Sequence, residues 1–104
     1  MNPNVKVIQL SGLLDGPKGT QLRHNVGEAI QAGTRIVLID CAAVEFMDSS
    51  GLGALVMALK QMRGSGGSLA LCAINDQIKM LLKLTDMDSV FEIFADRSSF
   101  EQSL

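Results

Sequence analysis

Two hydroxyls and a carboxylate stand together in Phe46-Met47-Asp48-Ser49-Ser50-Gly51-Leu52-Gly53, directly ahead of a stretch whose apolar residues recur at helical spacing. The octet therefore reads as a short loop that leads into a helix at Ser50. Backbone N–H groups in a first helical turn have no intrahelical acceptor, and the helix dipole makes that end positive. An oxyanion placed there gains hydrogen bonds and a favourable field. Holding a phosphate is the chemistry such an arrangement suits. Gly51 and Gly53 would each cost about 1 kcal/mol relative to alanine in a helix interior. That expense implies close approach by a phosphoryl group, a neighbouring backbone or a partner protein. A plainer reading is that Asp48, Ser49 or Ser50 is only an N-cap and that the glycines only permit close packing. The bare pattern leaves both readings open.

Other chemistries lack their parts. There is no GxSxG elbow and no glycine-lysine phosphate loop, and His24 is the only histidine, on a predicted helix beside Arg23 and Glu28. A serine hydrolase would need Ser49, His24 and a carboxylate to converge with no second histidine in reserve. No enzymatic activity is expected. Asp15, Asp40, Glu45 and Asp48 are spread over a turn, a strand end and a loop, so they read as solvated edges and not as a magnesium cluster. Met57, Met62, Met80 and Met87 read as core and rim filling. Cys41 and Cys72 have no metal-ligand spacing and lie at the ends of apolar runs, where reduced, buried thiols are expected. Whether they approach each other is open. No metal and no cofactor are expected.

The elements that must position the octet follow from periodicity. Val5 to Leu10 is β-branched and half-alternating, and is read as a strand ending at Ser11-Gly12. Leu13 to Pro17 turns the chain. Leu22, Val26, Ala29 and Ile30 then mark a helix over 20–32 that stops at Gly33. The continuous apolar run between Arg35 and Asp40 suits a central strand, and 41–47 is read as a linker. Leu52, Leu55, Val56, Leu59 and Met62 form the stripe of a helix over 50–63 that ends in Gly64-Ser65-Gly66-Gly67. Ser68 to Cys72 is the next strand, and Asn75 caps a helix over 76–85. Val90 to Phe94 is a last strand, and Asp96 caps a short terminal helix carrying Phe100 and Leu104. Strands alternating with helices predict α/β architecture with mostly parallel, right-handed crossovers.

A chain of 104 residues with 47% apolar and 19% charged residues is expected to fold as one domain, 1–104, around an aliphatic core. A net charge of −2 with mixed signs offers no basic patch, so nucleic acid is not an expected partner. Met1-Asn2-Pro3-Asn4 has no basic or apolar block of a secretory signal, and no apolar run is long enough to span a membrane, so a cytoplasmic protein without membrane insertion is expected.

The segment FMDSSGLG resembles the signature of the STAS-domain anti-sigma factor antagonists, the family of SpoIIAA and RsbV. Ser11 to Asp15 resembles that family's glycine-to-aspartate turn, Arg35 to Asp40 its central strand, and Gly66 to Cys72 its later glycine-led strand. The resemblance implies a STAS fold, a mixed four-stranded sheet covered mainly on one face by helices, with the first strand antiparallel to its neighbour. It implies partner switching: an anti-sigma factor that is also a serine kinase phosphorylates Ser49, with Ser50 a minor alternative, and a PP2C-type phosphatase reverses this. Unphosphorylated antagonist binds the kinase and frees the sigma factor. Asp15, Asp48, Ser49, Ser50, Gly51, Leu52 and Gly53 are the implied partner-binding residues. Family members usually carry a further strand before the one at Val5. Only Met1 to Asn4 precede it here, which leaves an edge open to homodimerisation or domain exchange. Relatives with this domain also act as stressosome scaffolds or as parts of anion- and lipid-transport systems, so the alternative implied is a non-switching module.

Overall fold

Val5, Val7 and Ile8 favour an extended chain, and the first strand runs further than its composition suggests, through Leu14. The computed structural model describes residues 4–104. The expectation that Met1 to Pro3 belong to no secretory signal lies outside them. The elements are β1 Val5–Leu14, α1 Gly16–Gln31, β2 Ile36–Met47, α2 Ser49–Gly64, β3 Ser68–Cys72, α3 Asp76–Leu84, β4 Glu92–Phe94 and α4 Arg97–Gln102.

The sheet order is β1-β2-β3-β4. Every neighbouring pair is parallel, with Val5 opposite Ile36, Ile36 opposite Ser68, and Ala70 opposite Glu92. This corrects the expectation of a mixed sheet with an antiparallel first strand. A strand that returns through a helix re-enters the sheet parallel to the one before it. The three crossovers also step in one direction across the sheet, so a common right-handed sense puts α1, α2 and α3 on the same face. Ile8, Val37, Ile39, Leu69 and Leu71 pack there against Leu22, Val26, Leu55, Met62, Ile78 and Leu82. Among the described residues the opposite face is covered by α4 alone, where Phe100 lies with Leu38, Ala70 and Cys72. Phe100 also meets Phe94 edge-on, with ring centroids 5.4 Å apart. Burying one such aromatic is worth about 1.5–3 kcal/mol, enough to hold a helix of fewer than two turns.

Beyond the longer β1, three further boundaries differ by more than a residue from the sequence reading. Helix α1 begins at Gly16, not 20, because Asp15 accepts the Lys18 amide (3.2 Å) and Pro17 is tolerated in a first turn. The expected linker 41–47 continues β2, paired with β1 from Ser11 opposite Ala43 to Leu14 opposite Met47, past two register shifts. Strand β4 is reduced to Glu92–Phe94, and Phe91 turns into the core instead.

Candidate functional site

Met47 ends β2 at the carboxyl edge of the parallel sheet, and α2 starts at Ser49, one residue earlier than expected. Asp48 joins them in an extended conformation. Its Oδ1 accepts the Gly51 amide at 2.8 Å, and its carbonyl accepts the Leu52 amide at 3.0 Å. Asp48 is thus the N-cap. This takes the capping role from Ser49 and Ser50, both of which are exposed on the first turn of α2.

The two glycines of the octet differ. A Cβ on Gly51 would lie 2.1 Å from the Leu14 carbonyl oxygen, so it is the domain's own backbone that excludes a side chain there. The same carbonyl accepts the Asp48 amide at 3.2 Å, which draws the start of α2 against the end of β1. The reading of Gly51 as room left for an anion is corrected accordingly. Leu52 is 6% exposed and packs in the core, so Gly51 and Leu52 hold the site from beneath and offer a partner no surface. Gly53 is exposed, and a Cβ there would meet nothing within 4 Å. Of the octet, Phe46, Ser49, Ser50 and Gly53 are exposed.

Asp15 caps α1 as Asp48 caps α2, and the two helices leave adjacent parallel strands, so both caps stand at the same end of the sheet. The helices meet through small residues. A Cβ on Gly19 would come 2.6 Å from the Ala54 Cβ, so glycine is what lets α1 approach there. A shallow open depression between the helices is lined by Thr20 and Arg23 of α1 and by Ser50, Gly53 and Met57 of α2. Leu13 and Phe46, cross-strand partners just ahead of the two caps, are 57% and 48% exposed, and Met57 is 40% exposed. Sequence reading did not single out Leu13, and it took Met57 only as core and rim filling. Their signal is exposure, which a one-dimensional pattern does not carry.

Residues from α3 also reach this end of β2. Gln77 pairs with both backbone groups of Met47, and the Asn75 side chain donates to the carbonyls of Val44 and Glu45. Asn75 caps α3 as expected, by accepting the Ile78 amide at 2.9 Å.

His24, the two thiols and Asp40 lie away from this surface. His24 is exposed on α1, 3.4 Å from Glu28. Among the described residues, no three His, Cys, Asp or Glu side chains converge to hold a metal ion. Cys41 and Cys72 are free, buried thiols in separate packing clusters of the sheet. Burial, helped by the Cys72 and Asp40 charges, pushes Cys41 up to about 12. Burial and the Asp40 charge push Cys72 up to about 11. Neither is a reactive thiol. Asp40, on the α4 face, is 6% exposed and accepts the Arg97 Nε at 2.6 Å and the Ala42 amide at 3.0 Å. Burial, the largest single influence, pushes its carboxyl up. The Ala42 amide, the Arg97 hydrogen bond and charge, and the Cys72 thiol outweigh it and hold the carboxyl below the usual carboxylate range.

The order of strands and helices, with an Asp-capped Ser-Ser-Gly helix entrance at the end of β2, now stands beside a direct comparison. Residues 1–99 match the sequence profile of the STAS domain. The chain belongs to the STAS domain family. The anti-sigma F factor antagonist of Paenibacillus polymyxa is 34% identical over 90 residues, which make up 86% of this chain and 74% of that one. A Thermotoga maritima candidate anti-sigma factor antagonist superposes with a TM-score of 0.88 at 24% identity, over 99% of this chain and 89% of the other. Unphosphorylated SpoIIAA, an anti-sigma factor antagonist, superposes at 0.79 with 20% identity, over 95% and 87%. The phosphorylated form of Bacillus SpoIIAA superposes at 0.76 with 19% identity, over 99% and 94%. At these identities the superpositions speak to the fold, and the STAS fold is what they share. Among the described residues of this STAS domain, no helix is long and apolar enough to cross a membrane.

Proposed function

We propose that this chain, as a single STAS domain over 1–104, is an anti-sigma factor antagonist whose binding is switched by phosphate on Ser49. The observation that carries the reading is the exposed Ser49 on the first turn of α2, with its helix capped by Asp48 and not by its own hydroxyl. The serine is therefore free to be an acceptor without loss of the cap. The Paenibacillus relative bears the name of an anti-sigma factor antagonist, and SpoIIAA exists in phosphorylated and unphosphorylated forms. The proposed partners are an anti-sigma factor with serine kinase activity and a PP2C-type phosphatase, in the cytoplasm.

The physical account is short. Ser49 Oγ attacks the γ-phosphorus of ATP held by the kinase. The new O–P bond forms as the bond to the β,γ-bridging oxygen breaks, ADP leaves, and a base on the kinase takes the hydroxyl proton. Exposed Leu13, Phe46 and Met57, with the side-chain-free surface of Gly53, suit a flush, partly apolar contact. A phosphate brings a charge of about −1.5 to −2 into that contact beside Asp48, so repulsion and desolvation break it without any change of fold.

The test is to incubate wild type, Ser49→Ala and Ser50→Ala with the cognate kinase and ATP, locate phosphate by peptide mass spectrometry, and measure kinase affinity before and after. Ser49→Ala should lose most phosphorylation and keep binding, while Ser50→Ala should be modified nearly as wild type. Stoichiometric modification should weaken binding at least about tenfold, equivalent to about 1.4 kcal/mol. Equal phosphorylation of wild type and Ser49→Ala, or unchanged affinity after modification, would sink the switch and leave a constitutive binding module.

A further inference from the structure

Strand β2 has a strand on both sides only as far as Asp40, which lies opposite Cys72 of β3. From Cys41 onward its β1 side stays paired and its other side has no strand among the described residues. That side is occupied by side chains from the start of α3. The Gln77 carboxamide makes two bonds to one residue: the Met47 amide donates to Oε1 at 2.9 Å, and Nε2 donates to the Met47 carbonyl at 2.9 Å. It thereby does for Met47 what a neighbouring strand would do. Asn75 adds bonds to Val44 and Glu45 at 3.1 and 3.2 Å. Glutamine suits the task because a single planar group offers both a donor and an acceptor, which glutamate, lysine or leucine do not.

Met47 is fully buried and precedes Asp48 and Ser49 directly. Any rotation of the Met47 peptide carries the cap and the serine hydroxyl with it. We infer that Gln77 is a positioning residue for Ser49, fixing from α3 the backbone that presents the hydroxyl to a kinase. This rests on the reading of Ser49 as phosphate acceptor. Phosphoryl transfer depends on near-attack placement of the acceptor oxygen, and a displacement of about 1 Å can cost about a hundredfold in rate. Two bonds on the preceding residue therefore bear on turnover more than on docking, since the exposed contact surface is left in place.

The test compares wild type, Gln77→Leu, Gln77→Glu and Arg97→Ala, the last a control on the opposite face of the sheet. Amide exchange at Met47 to Gly51 is read by NMR, and steady-state phosphorylation is measured with the cognate kinase and ATP. Gln77→Leu should speed exchange of the Met47 amide at least about fivefold, as expected for the loss of one shielded hydrogen bond. It should also lower kcat about tenfold or more, with KM within about twofold. Gln77→Glu keeps the acceptor for the Met47 amide and should fall between Leu and wild type. Arg97→Ala should leave kcat unchanged even if its unfolding midpoint falls as far, and should speed exchange at Met47 no more than at other core amides. Unchanged exchange in Gln77→Leu, or a kcat loss no larger than in an equally destabilised Arg97→Ala, overturns the inference. If wild type takes no phosphate on Ser49, the acceptor reading falls and takes the inference with it. If wild type is modified there and Gln77→Leu keeps its kcat, only the role of Gln77 falls.

Discussion

Gly51 and Gly53 lie on the same helix, and alanine at each should shift stability in opposite directions. At Gly51 the added Cβ would lie 2.1 Å from the Leu14 carbonyl oxygen, 2.8 Å from its carbon and 2.9 Å from the Leu14 Cγ. Two of those atoms are backbone, so no rotamer change relieves the clash, and α2 has to move off β1 until the contact exceeds 3.0 Å. Overpacking of this kind costs about 1–3 kcal/mol. The same movement stretches the Asp48 amide bond to Leu14 and strains the cap on Gly51, each worth about 1 kcal/mol. Alanine recovers up to about 1 kcal/mol of helix propensity. The net expectation is a loss of about 2–4 kcal/mol. At about 4–8 °C per kcal/mol for a chain of this size, the Tm of Gly51→Ala should fall by about 10 °C or more. Gly53→Ala meets nothing within 4 Å and should gain up to about 1 kcal/mol. Urea unfolding of the two variants against wild type, followed by far-UV circular dichroism, reads both signs in one experiment. Gly51→Ala at wild-type stability, or an equal loss in both variants, would refute the account of how α2 is seated.

The cap assignment makes a second contrast: Asp48→Ala should cost about 0.5–2 kcal/mol in unfolding free energy, while Ser49→Ala, at an exposed position that caps nothing, should stay within about 0.5 kcal/mol of wild type. The Asp40–Arg97 pair predicts acid sensitivity. The Asp40 carboxyl titrates lower in the folded chain than in the unfolded one, so its contribution is complete above the unfolded value of about 4 and is lost as pH falls through the folded value. Arg97→Ala should lower stability at neutral pH by about 1–3 kcal/mol, less than for a fully buried pair because Arg97 is half exposed. It should also flatten that acid-side loss. A pH series of unfolding midpoints for both proteins checks this, and parallel curves would count against the pair.

The alternation of apolar runs and helical stripes was enough to place four strands and four helices in order, because each periodicity records which side of one element is buried. Asn75 and Asp96 were legible as caps for the same local reason, since a cap acts within one turn of its own helix. The octet at Ser49 was legible as a helix entrance, but the division of labour inside it was not. That Asp48 caps, that Gly51 yields to the Leu14 carbonyl and that Leu52 turns inward depend on how close α2 lies to β1, a distance set by the packing of the whole sheet. The extension of β2 through 41–47 also lay beyond the sequence, since pairing partners far apart along the chain leave no local periodicity, whereas the parallel course of β1 follows from the strand-helix-strand order and only the resemblance pointed the other way. The same holds for Gln77. Nothing near it in sequence marks it, because its two hydrogen-bond partners are the amide and carbonyl of Met47, and only the fold brings them within reach.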